Sequence, residues 1–360
     1  MTAETFGASS HGRSAGRTVL ALLAVLVMVG TGAAWGSVRS FENGIFHFTT
    51  AMLGGNSDDG ATDILLVGMD SRTDAHGNPL SAQELAQLHA GDDVATNTDT
   101  IILVRIPTNG RSATAISIPR DSYVQSPSLG KTKINGVYGE VKLDTMKQLV
   151  EVQGQDPTVA EPKAVEAGRN ALIETVAALT GVSVDHYAEI GLLGFSLITD
   201  ALGGVEVCLK NAVYEPLSGA DFPAGWQRLD GPQALSFVRQ RHDLPRGDLD
   251  RVVRQQVVMA SLAHEVISSK TLTSPATMER LQNAIQRSVV ISAGWDVMNF
   301  LDQLQKLAAG NVAFATIPVL KENGWSDDGM QSVVTVYPTQ VQEWVASLLH
   351  DQAEGKTAAV

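Results

Sequence analysis

The chain has 360 residues, of which 44% are hydrophobic and 18% are charged. This composition is that of a folded protein and excludes a mainly disordered one. Asp and Glu number 39 against 26 Lys and Arg, so the net charge of −13 excludes nucleic acid as a partner held by bulk positive charge. The single cysteine, Cys208, excludes an intramolecular disulfide and a cysteine-rich zinc site, and its apolar neighbours predict a core position.

An uncharged run, Thr18–Val38, lies between Arg17 and Arg39. A helix rising about 1.5 Å per residue over this run covers the roughly 30 Å hydrocarbon core of a bilayer. Basic residues before the run predict that residues 1–17 are cytoplasmic and that the bulk of the chain lies outside the cytoplasm, anchored in the cell membrane by a single pass. A cleaved signal peptide is the alternative, because residues 34–36 resemble a small-x-small cleavage site.

Beyond the membrane segment, we predict a tether at 39–60, one folded domain at 61–350 and a flexible tail at 351–360. Strands are predicted at 62–68, 100–106, 111–118, 184–190, 205–209 and 312–318. Helices are predicted at 81–89, 136–150, 162–179, 248–268, 276–287, 297–307 and 339–349. Val253, Val257 and Val258 are expected on the buried side of the long helix. Strands interleaved with helices indicate a layered α/β domain.

Asn109-Gly110 separates the second and third strands and is a strong hairpin signal. A two-residue turn there places Asp99 opposite Arg120 when the pairing is continued along both strands. Asp70 ends the first strand, so it reaches the same end of the sheet if the first two strands are antiparallel. A single bulge residue would turn one of these side chains to the other face.

Asp70 and Asp99 are therefore expected to converge near Arg120, with Arg72 just beyond. Paired carboxylates repel unless a cation or a proton lies between them. Mg²⁺ is the expected cation, with Mn²⁺ as its substitute, because Mg²⁺ binds through one or two carboxylates plus substrate phosphates. Neighbouring guanidinium groups would hold the phosphate. The alternative is structural: Asp70 in a turn, Asp99 at a strand start and Arg120 as their ion-pair partner.

A second basic cluster lies further along the chain, after a short helix that is predicted to open at 230–232 and to run through 234–235. If residues 238–242 are extended, Arg239 and Arg241 share one face. Arg251, Arg254 and Gln255 follow near the start of the long helix, where the helix dipole and free N–H groups favour anions. We interpret these residues as a phosphate clamp, with a surface ion network among the nearby aspartates as the alternative.

Several segments together resemble the LytR-CpsA-Psr family of envelope phosphotransferases, and they occur in family order. The matching strings are ILLVGMDSR (64–72), TDTIILVRI (98–106), SIPRDSYV (117–124), KINGVYGE (133–140), DALGGVEV (200–207), LDGPQALSFVRQRH (229–242) and GDLDRVVRQQ (247–256). With the N-terminal anchor, the resemblance covers nearly the whole chain. It implies an α/β fold with a central mixed sheet flanked by helices on both sides, a hydrophobic tunnel for lipid and one N-terminal transmembrane helix.

The resemblance also implies roles for individual residues. The family's metal-binding aspartates fall on Asp70 and Asp99. Its pyrophosphate-binding residues match Arg120, Arg239, Arg241, Arg251 and Gln255, to which the strand geometry adds Arg72. Asp99 or Asp121 is the expected base for the acceptor hydroxyl, and Arg120 is expected to act with them.

The implied reaction moves a glycan with one phosphate from a polyprenyl-pyrophosphate carrier to a peptidoglycan hydroxyl, which attaches a secondary cell-wall polymer. The implied partners are the lipid-linked glycan, peptidoglycan and the cytoplasmic membrane. Two alternatives remain open: a polyprenyl-pyrophosphate pyrophosphatase with water as nucleophile, and a non-catalytic lipid-phosphate-binding regulator of envelope assembly.

The sequence departs from the family pattern in two places. Many members have Arg two residues before the second aspartate, whereas this chain has Asn97. The polar segment at 73–97, between the first two predicted strands, is longer than in compact members, and we expect it to cover the site.

Overall fold

The computed structural model describes residues 44–54, 60–91, 96–108, 113–216, 218–240, 248–267, 274–296 and 312–353. The chain divides after Gly44, and all elements below belong to the compact unit Ile45–Val360. No helix within the described ranges is both long and apolar enough to cross a bilayer. The predicted span at 18–38, its flanking residues 1–17, the Asn109-Gly110 turn, Arg241 and the predicted helix at 297–307 lie outside the described residues.

The strands are numbered in chain order: β1 Phe46–Phe48, β2 Ala61–Met69, β3 Thr98–Pro107, β4 Ala113–Ile118, β5 Ser122–Ser126, β6 Gly130–Lys133, β7 His186–Ile190, β8 Val205–Leu209, β9 Val213–Glu215, β10 Ala220–Phe222, β11 Gly225–Leu229, β12 Val289–Ser292, β13 Val312–Thr316, β14 Lys321–Trp325 and β15 Ser332–Thr335. The α-helices are α1 Ala82–Gln87, α2 Val137–Lys147, α3 Pro157–Thr180, α4 Leu192–Ala201, α5 Gly231–Arg239, α6 Asp248–Ile267, α7 Pro275–Ser288 and α8 Pro338–Ala353.

The central sheet has seven strands within the described ranges, in the order β1-β12-β7-β2-β3-β4-β13. β2 pairs antiparallel with β3 and parallel with β7, and β4 pairs parallel with β13, so the sheet is mixed as expected. A smaller sheet runs in the order β14-β15-β5-β6, and β8–β11 and β9–β10 form short antiparallel pairs.

Helices cover both faces of the central sheet, which confirms the predicted layers. On one face, Leu65 and Val67 of β2 share a core with Leu172 and Val176 of α3. On the other face lie α4, α5 and α6, whose side chains meet Leu66 of β2 around a cavity. Burial on both faces explains why β2 has a nearly continuous apolar sequence rather than an alternating one.

The predicted register between β3 and β4 is confirmed, whereas the pairing between β2 and β3 contains one irregularity. Ile101 pairs with Ile118, as the predicted turn requires. Between β2 and β3, however, Gly68 pairs with Thr100 while Met69 pairs with Thr98. Asp99 is therefore the extra residue of a β-bulge, a feature that redirects a side chain and is frequent beside active sites.

The segment predicted as a tether contributes to the sheet. β1 pairs parallel with β12, and Phe48 packs edge-to-face against Tyr187 with 5.3 Å between ring centroids. The compact unit therefore begins at Ile45 rather than at residue 61. At the other end, α8 continues to Ala353, beyond the predicted boundary at 350.

Two predicted core positions were wrong. Val253 and Val257 are 44% and 42% exposed, because the buried side of α6 carries Val252 and Val258, of which Val258 was predicted there. Cys208 is exposed, since β8 alternates and its neighbours on either side take the inward positions.

Candidate active site

A cavity of about 120 Å³ lies over the ends of β2 and β3, beneath α4, α5 and α6. Its polar side chains are Asp70, Asp99, Thr100, Arg239, Arg251 and Gln255. Its apolar wall includes Leu66, Met69, Ile102, Ile190, Leu192, Phe195, Leu235, Val238 and Met259. Carboxylates and guanidinium groups thus lie together at one side of an apolar cavity, the combination that the sequence analysis predicted.

Asp70 follows the last residue of β2 and is held from two directions. Its amide donates to the carbonyl oxygen of Asn97 at 3.0 Å, which continues the β2–β3 pairing past the bulge. Nη1 of Arg72 lies 2.8 Å from Oδ1 of Asp70 and also donates to the Asp70 carbonyl oxygen at 2.8 Å. Arg72 therefore fixes the Asp70 carboxylate against its own backbone.

Asp99, the bulge residue, is reached by two elements distant in sequence. Nη1 of Arg120, in the turn after β4, donates to its carboxylate at 3.0 Å. Nη2 of Arg251 and Nε2 of Gln255, both in the first turns of α6, donate to its carbonyl oxygen at 3.1 and 3.4 Å. The bulge thus exposes both a carboxylate and a carbonyl to the start of a helix, where positive charge is concentrated.

Asp121 supports Arg120 from outside the cavity. Its Oδ2 lies 3.8 Å from Nε of Arg120, and its Oδ1 accepts a hydrogen bond of 3.0 Å from Nζ of Lys133. Asn135, in the same KINGVYGE segment, donates its amide to the Arg120 carbonyl and accepts from Thr98 with its own carbonyl. This segment therefore braces Arg120 and the start of β3, a role that sequence reasoning missed.

Arg239 is positioned by a capped helix rather than by an extended segment, so the extended interpretation of residues 238–242 was wrong at its start. Asp230 and Gln233 form a reciprocal capping box at the start of α5. Gly231 lies so close to α4 that an added Cβ would be 2.2 Å from the Ser196 carbonyl oxygen. The tight contact and the cap fix the helix, whose last turn carries Arg239 to the cavity.

Arg254 joins α6 to α5 instead of facing the cavity. Its guanidinium stacks on the Phe237 ring at 4.8 Å and donates to the side-chain oxygen of Gln240. Burial lowers the pKa of Arg254, against the opposing effect of Asp250. The predicted clamp therefore separates into a cavity residue, Arg251, and a structural one, Arg254.

The polar segment at 73–97 contacts two guanidinium groups at the rim of the cavity, those of Arg72 and Arg239. Nη1 of Arg239 donates to the carbonyl oxygens of Leu88 and His89 at 3.2 and 3.3 Å, and Nε of Arg72 donates to that of Gly91 at 3.1 Å. α1, just before these carbonyls, is fixed by a capping box at Ser81. The described part of this segment therefore contacts Arg239 and Arg72, while its covering of the site stays a prediction.

The structure thus brings together the predicted residues Asp70, Arg72, Asp99, Arg120, Arg239, Arg251 and Gln255, and it places Asp121 just behind Arg120. Arg241 lies outside the described residues. Asn97, at the family's arginine position, has an exposed side chain and contributes its backbone carbonyl to the Asp70 amide.

Comparisons with known proteins identify the family of this chain. The LytR_cpsA_psr family model matches residues 41–346. The cell wall biosynthesis protein LcpA of Corynebacterium glutamicum is 54% identical over 338 residues, which cover 92% of this chain and 65% of LcpA. The polyisoprenyl-teichoic acid–peptidoglycan teichoic acid transferase TagU of Oceanobacillus iheyensis is 30% identical over 227 residues, which cover 63% of this chain and 58% of TagU. The chain therefore spans less than two thirds of the length of these relatives.

A solved structure of a LytR-Csp2A-Psr enzyme from Actinomyces oris shares the fold, with a TM-score of 0.59 at 19% identity; the match covers 84% of this chain and 95% of that one. The family model spans most of the chain, and the residues that it contains form a common cavity. The chain belongs to the LytR_cpsA_psr family.

Proposed function

We propose that this protein transfers a glycan with one phosphate from a polyprenyl-pyrophosphate carrier to a hydroxyl of peptidoglycan. The observation that carries the proposal is the composition of the cavity, in which Asp70, Asp99, Arg239 and Arg251 adjoin an apolar wall. A polyprenyl pyrophosphate is complementary to this cavity, because its charged pyrophosphate suits the guanidinium groups and its apolar chain suits the apolar wall. The names of LcpA and TagU, which refer to cell-wall biosynthesis and to transfer of teichoic acid to peptidoglycan, support the same reaction class.

Different residues would bind the pyrophosphate and the polyprenyl chain of the donor. The pyrophosphate would lie against Arg239, Arg251 and Gln255, with Arg120 and Arg72 held beside it by Asp99 and Asp70. Arg251 is only 3% exposed, so its charge acts in a site shielded from water, where electrostatic stabilisation is stronger. The polyprenyl chain would lie along Leu192, Phe195 and Leu235.

The donor set fits a magnesium ion held by Asp70 and Asp99, with Mn²⁺ as its substitute. Oδ1 of Asp70 is buried, and among the described residues it receives an ion pair from Arg72 but no hydrogen bond with good geometry. Within the described residues no group of three or more His, Cys, Asp or Glu is arranged for a metal. Two carboxylates completed by phosphate and water oxygens are ligands typical of Mg²⁺. When bound, the ion would supply a Lewis acid that neutralises the pyrophosphate charge.

The transfer forms one bond and breaks one. The acceptor oxygen attacks the phosphorus on the glycan side, the bridging P–O bond breaks, and the bridging oxygen leaves with polyprenyl monophosphate. The guanidinium groups orient the pyrophosphate for in-line attack and stabilise the charge on the phosphoryl oxygens and the leaving group. The acceptor proton passes to a carboxylate, for which Asp99 is favoured over Asp121 because Asp99 lines the cavity.

The location that suits this reaction is the outer surface of the cytoplasmic membrane. The proposed anchor is the uncharged run Thr18–Val38, with the compact unit outside the cytoplasm. There the unit can reach both a membrane-borne donor and the cell-wall acceptor.

The proposal is tested with the purified chain, Mg²⁺, a lipid-linked glycan and peptidoglycan strands. A new phosphodiester between the two polymers, detected by mass spectrometry, is the expected product. Free glycan phosphate in place of this conjugate would support a pyrophosphatase. Donor binding without turnover, together with normal cellular function of an Asp99→Ala protein, would support a regulator.

A further inference from the structure

A second cavity, of about 460 Å³, lies beside the first one, and Arg72 is the one residue of its lining that the account above places beside the donor pyrophosphate. β1, α2 and α3 contribute to its walls, together with the residues that follow β2. It faces the α3 side of the central sheet, whereas the first cavity faces α4, α5 and α6. The two cavities therefore lie on opposite faces of the sheet.

The cavities meet at the end of β2. Met69 and Gly191 line both of them. Arg72 lines the second cavity and forms the ion pair of 2.8 Å with Asp70, which lines the first. A molecule in the second cavity thus lies next to the carboxylate and guanidinium groups that would hold the pyrophosphate.

The charges in the second cavity are largely paired. Arg169 makes two hydrogen bonds, of 2.8 and 3.2 Å, to the carboxylate of Glu189. Lys142 lies 2.7 Å from Glu161. With cations matched by acids, the cavity does not favour a second polyanion, and its polar lining does not favour a lipid chain.

Aromatic rings lie among these polar groups. Phe48 lies under the Arg169 guanidinium at 4.8 Å, and Phe46, which is 37% exposed, meets His76 at 5.8 Å between ring centroids. Carboxylates and amines can hydrogen-bond hydroxyl and amide groups, and aromatic rings can pack against the C–H faces of a sugar. This mixture suits an uncharged, hydroxyl-rich ligand with amide groups.

We infer that the second cavity binds the acceptor, an N-acetylated sugar of a glycan strand, and directs its hydroxyl toward the phosphate beside the Asp70–Arg72 pair. This inference rests on the proposed function and deepens it by assigning the acceptor site. Donor and acceptor then approach the reacting phosphorus from opposite faces of the sheet, around the end of β2. That arrangement keeps the lipid and the glycan strand from competing for space.

The test narrows the cavity without touching the donor site. Val165, half-buried on α3, lines the second cavity and not the first. Val165→Trp should raise the KM for peptidoglycan strands at least about tenfold, which corresponds to about 1.4 kcal/mol, while the Kd for the lipid-linked donor stays within about twofold. The matched control is Val159→Trp on the same helix, because Val159 is 54% exposed and lines neither cavity.

A second variant guards against misfolding of the tryptophan protein. Glu166→Ala replaces an exposed cavity residue and should also raise the acceptor KM without changing donor Kd.

Direct binding of a soluble peptidoglycan strand, measured by calorimetry without donor, separates the acceptor-site inference from the proposed transfer function. If strand binding is lost in Val165→Trp while the wild type binds donor and strand but transfers nothing, the acceptor site stands and the proposed function fails. If the wild type transfers and both variants keep its acceptor KM, the acceptor site is overturned.

Discussion

Nη2 of Arg251 donates to the carbonyl oxygen of Asp99 at 3.1 Å, and Nη1 lies 4.0 Å from the carboxylate of the same residue. One guanidinium, at the start of α6, therefore contacts both backbone and side chain of the bulge in β3. The contact is possible because the extra residue interrupts the β2–β3 ladder and leaves its carbonyl available. The site thus depends on a defect in the sheet that a distant helix stabilises.

Arg251 is the residue whose loss should affect transfer most directly. Arg251→Gln removes the charge and a donor to Asp99, and we expect the transfer rate to fall by about 10²–10³, as for loss of one charge-stabilising donor. Initial rates with saturating peptidoglycan measure the effect. Arg228→Gln is the control, since it removes the same charge from an exposed ion pair with Glu206 and Glu265. Equal losses in the two variants would argue against a site role for Arg251.

Asp99→Asn should change the metal requirement as well as the rate. Chelation is expected to abolish transfer by the wild-type protein, and added Mg²⁺ should restore it. Outer-shell substitutions alone weaken metal binding about 10–100-fold, so loss of this carboxylate should raise the half-saturating Mg²⁺ concentration at least that much. Asp121→Asn, which removes a partner of Lys133, should leave the Mg²⁺ requirement close to that of the wild type. An unchanged requirement in Asp99→Asn would contradict the metal assignment.

Gly231→Ala tests the contact that positions Arg239. The new Cβ would overlap the Ser196 carbonyl, so we expect the free energy of unfolding to fall by about 1–3 kcal/mol, the usual cost of overpacking. Urea denaturation measures it. Gly91→Ala is the matched control, because no atom of the described residues lies within 4 Å of its added Cβ, and it should leave stability nearly unchanged.

Glu84 provides a pH-dependent contribution to stability. Hydrogen bonds from the side chain and backbone of Ser81, with Arg287 nearby, lower the pKa of Glu84 from 4.5 to about 2. Because the folded-state pKa is the lower one, the stabilisation is complete above about pH 4.5 and is lost as the pH falls toward 2. Glu84→Gln keeps a side chain able to complete the capping box but removes its charge, so it should be less stable than the wild type at pH 6 by about 0.3–1 kcal/mol, and the gap should narrow by pH 3. Chemical denaturation at the two pH values provides the measurement, and a gap that stays constant would contradict this assignment.

The sequence predicted those parts of the fold that local chemistry determines. The register predicted from a two-residue Asn-Gly turn matches the observed pairing of β3 with β4, which explains why the Asp99–Arg120 contact was correctly anticipated. The start of α5 was also predicted, and its full length was within reach, because Asp230 and Gln233 have capping-box spacing and Ala234, Leu235 and Val238 follow a helical period. The error at residues 238–239 arose because the alternating pattern around Arg239 was given more weight than the helical pattern that follows this cap.

Other features depend on contacts that sequence patterns do not encode. The bulge at Asp99 leaves no local signature, because its stabilisation comes from Arg251 and Gln255 on a distant helix. β1 is a three-residue strand in a segment with tether-like composition, and its pairing with β12 joins distant parts of the chain. The second cavity depends on β1, so it could not be anticipated either.

The most direct measurement follows the fate of the phosphorus on the glycan side of the pyrophosphate. A donor with a radioactive label at that phosphorus is incubated with the protein, Mg²⁺ and peptidoglycan, and the label is counted in the polymer, lipid and soluble fractions. The proposed transfer predicts label bound covalently to peptidoglycan and unlabelled polyprenyl monophosphate in the lipid fraction. Label that stays with the lipid, or is released as soluble glycan phosphate while peptidoglycan is present, would contradict it.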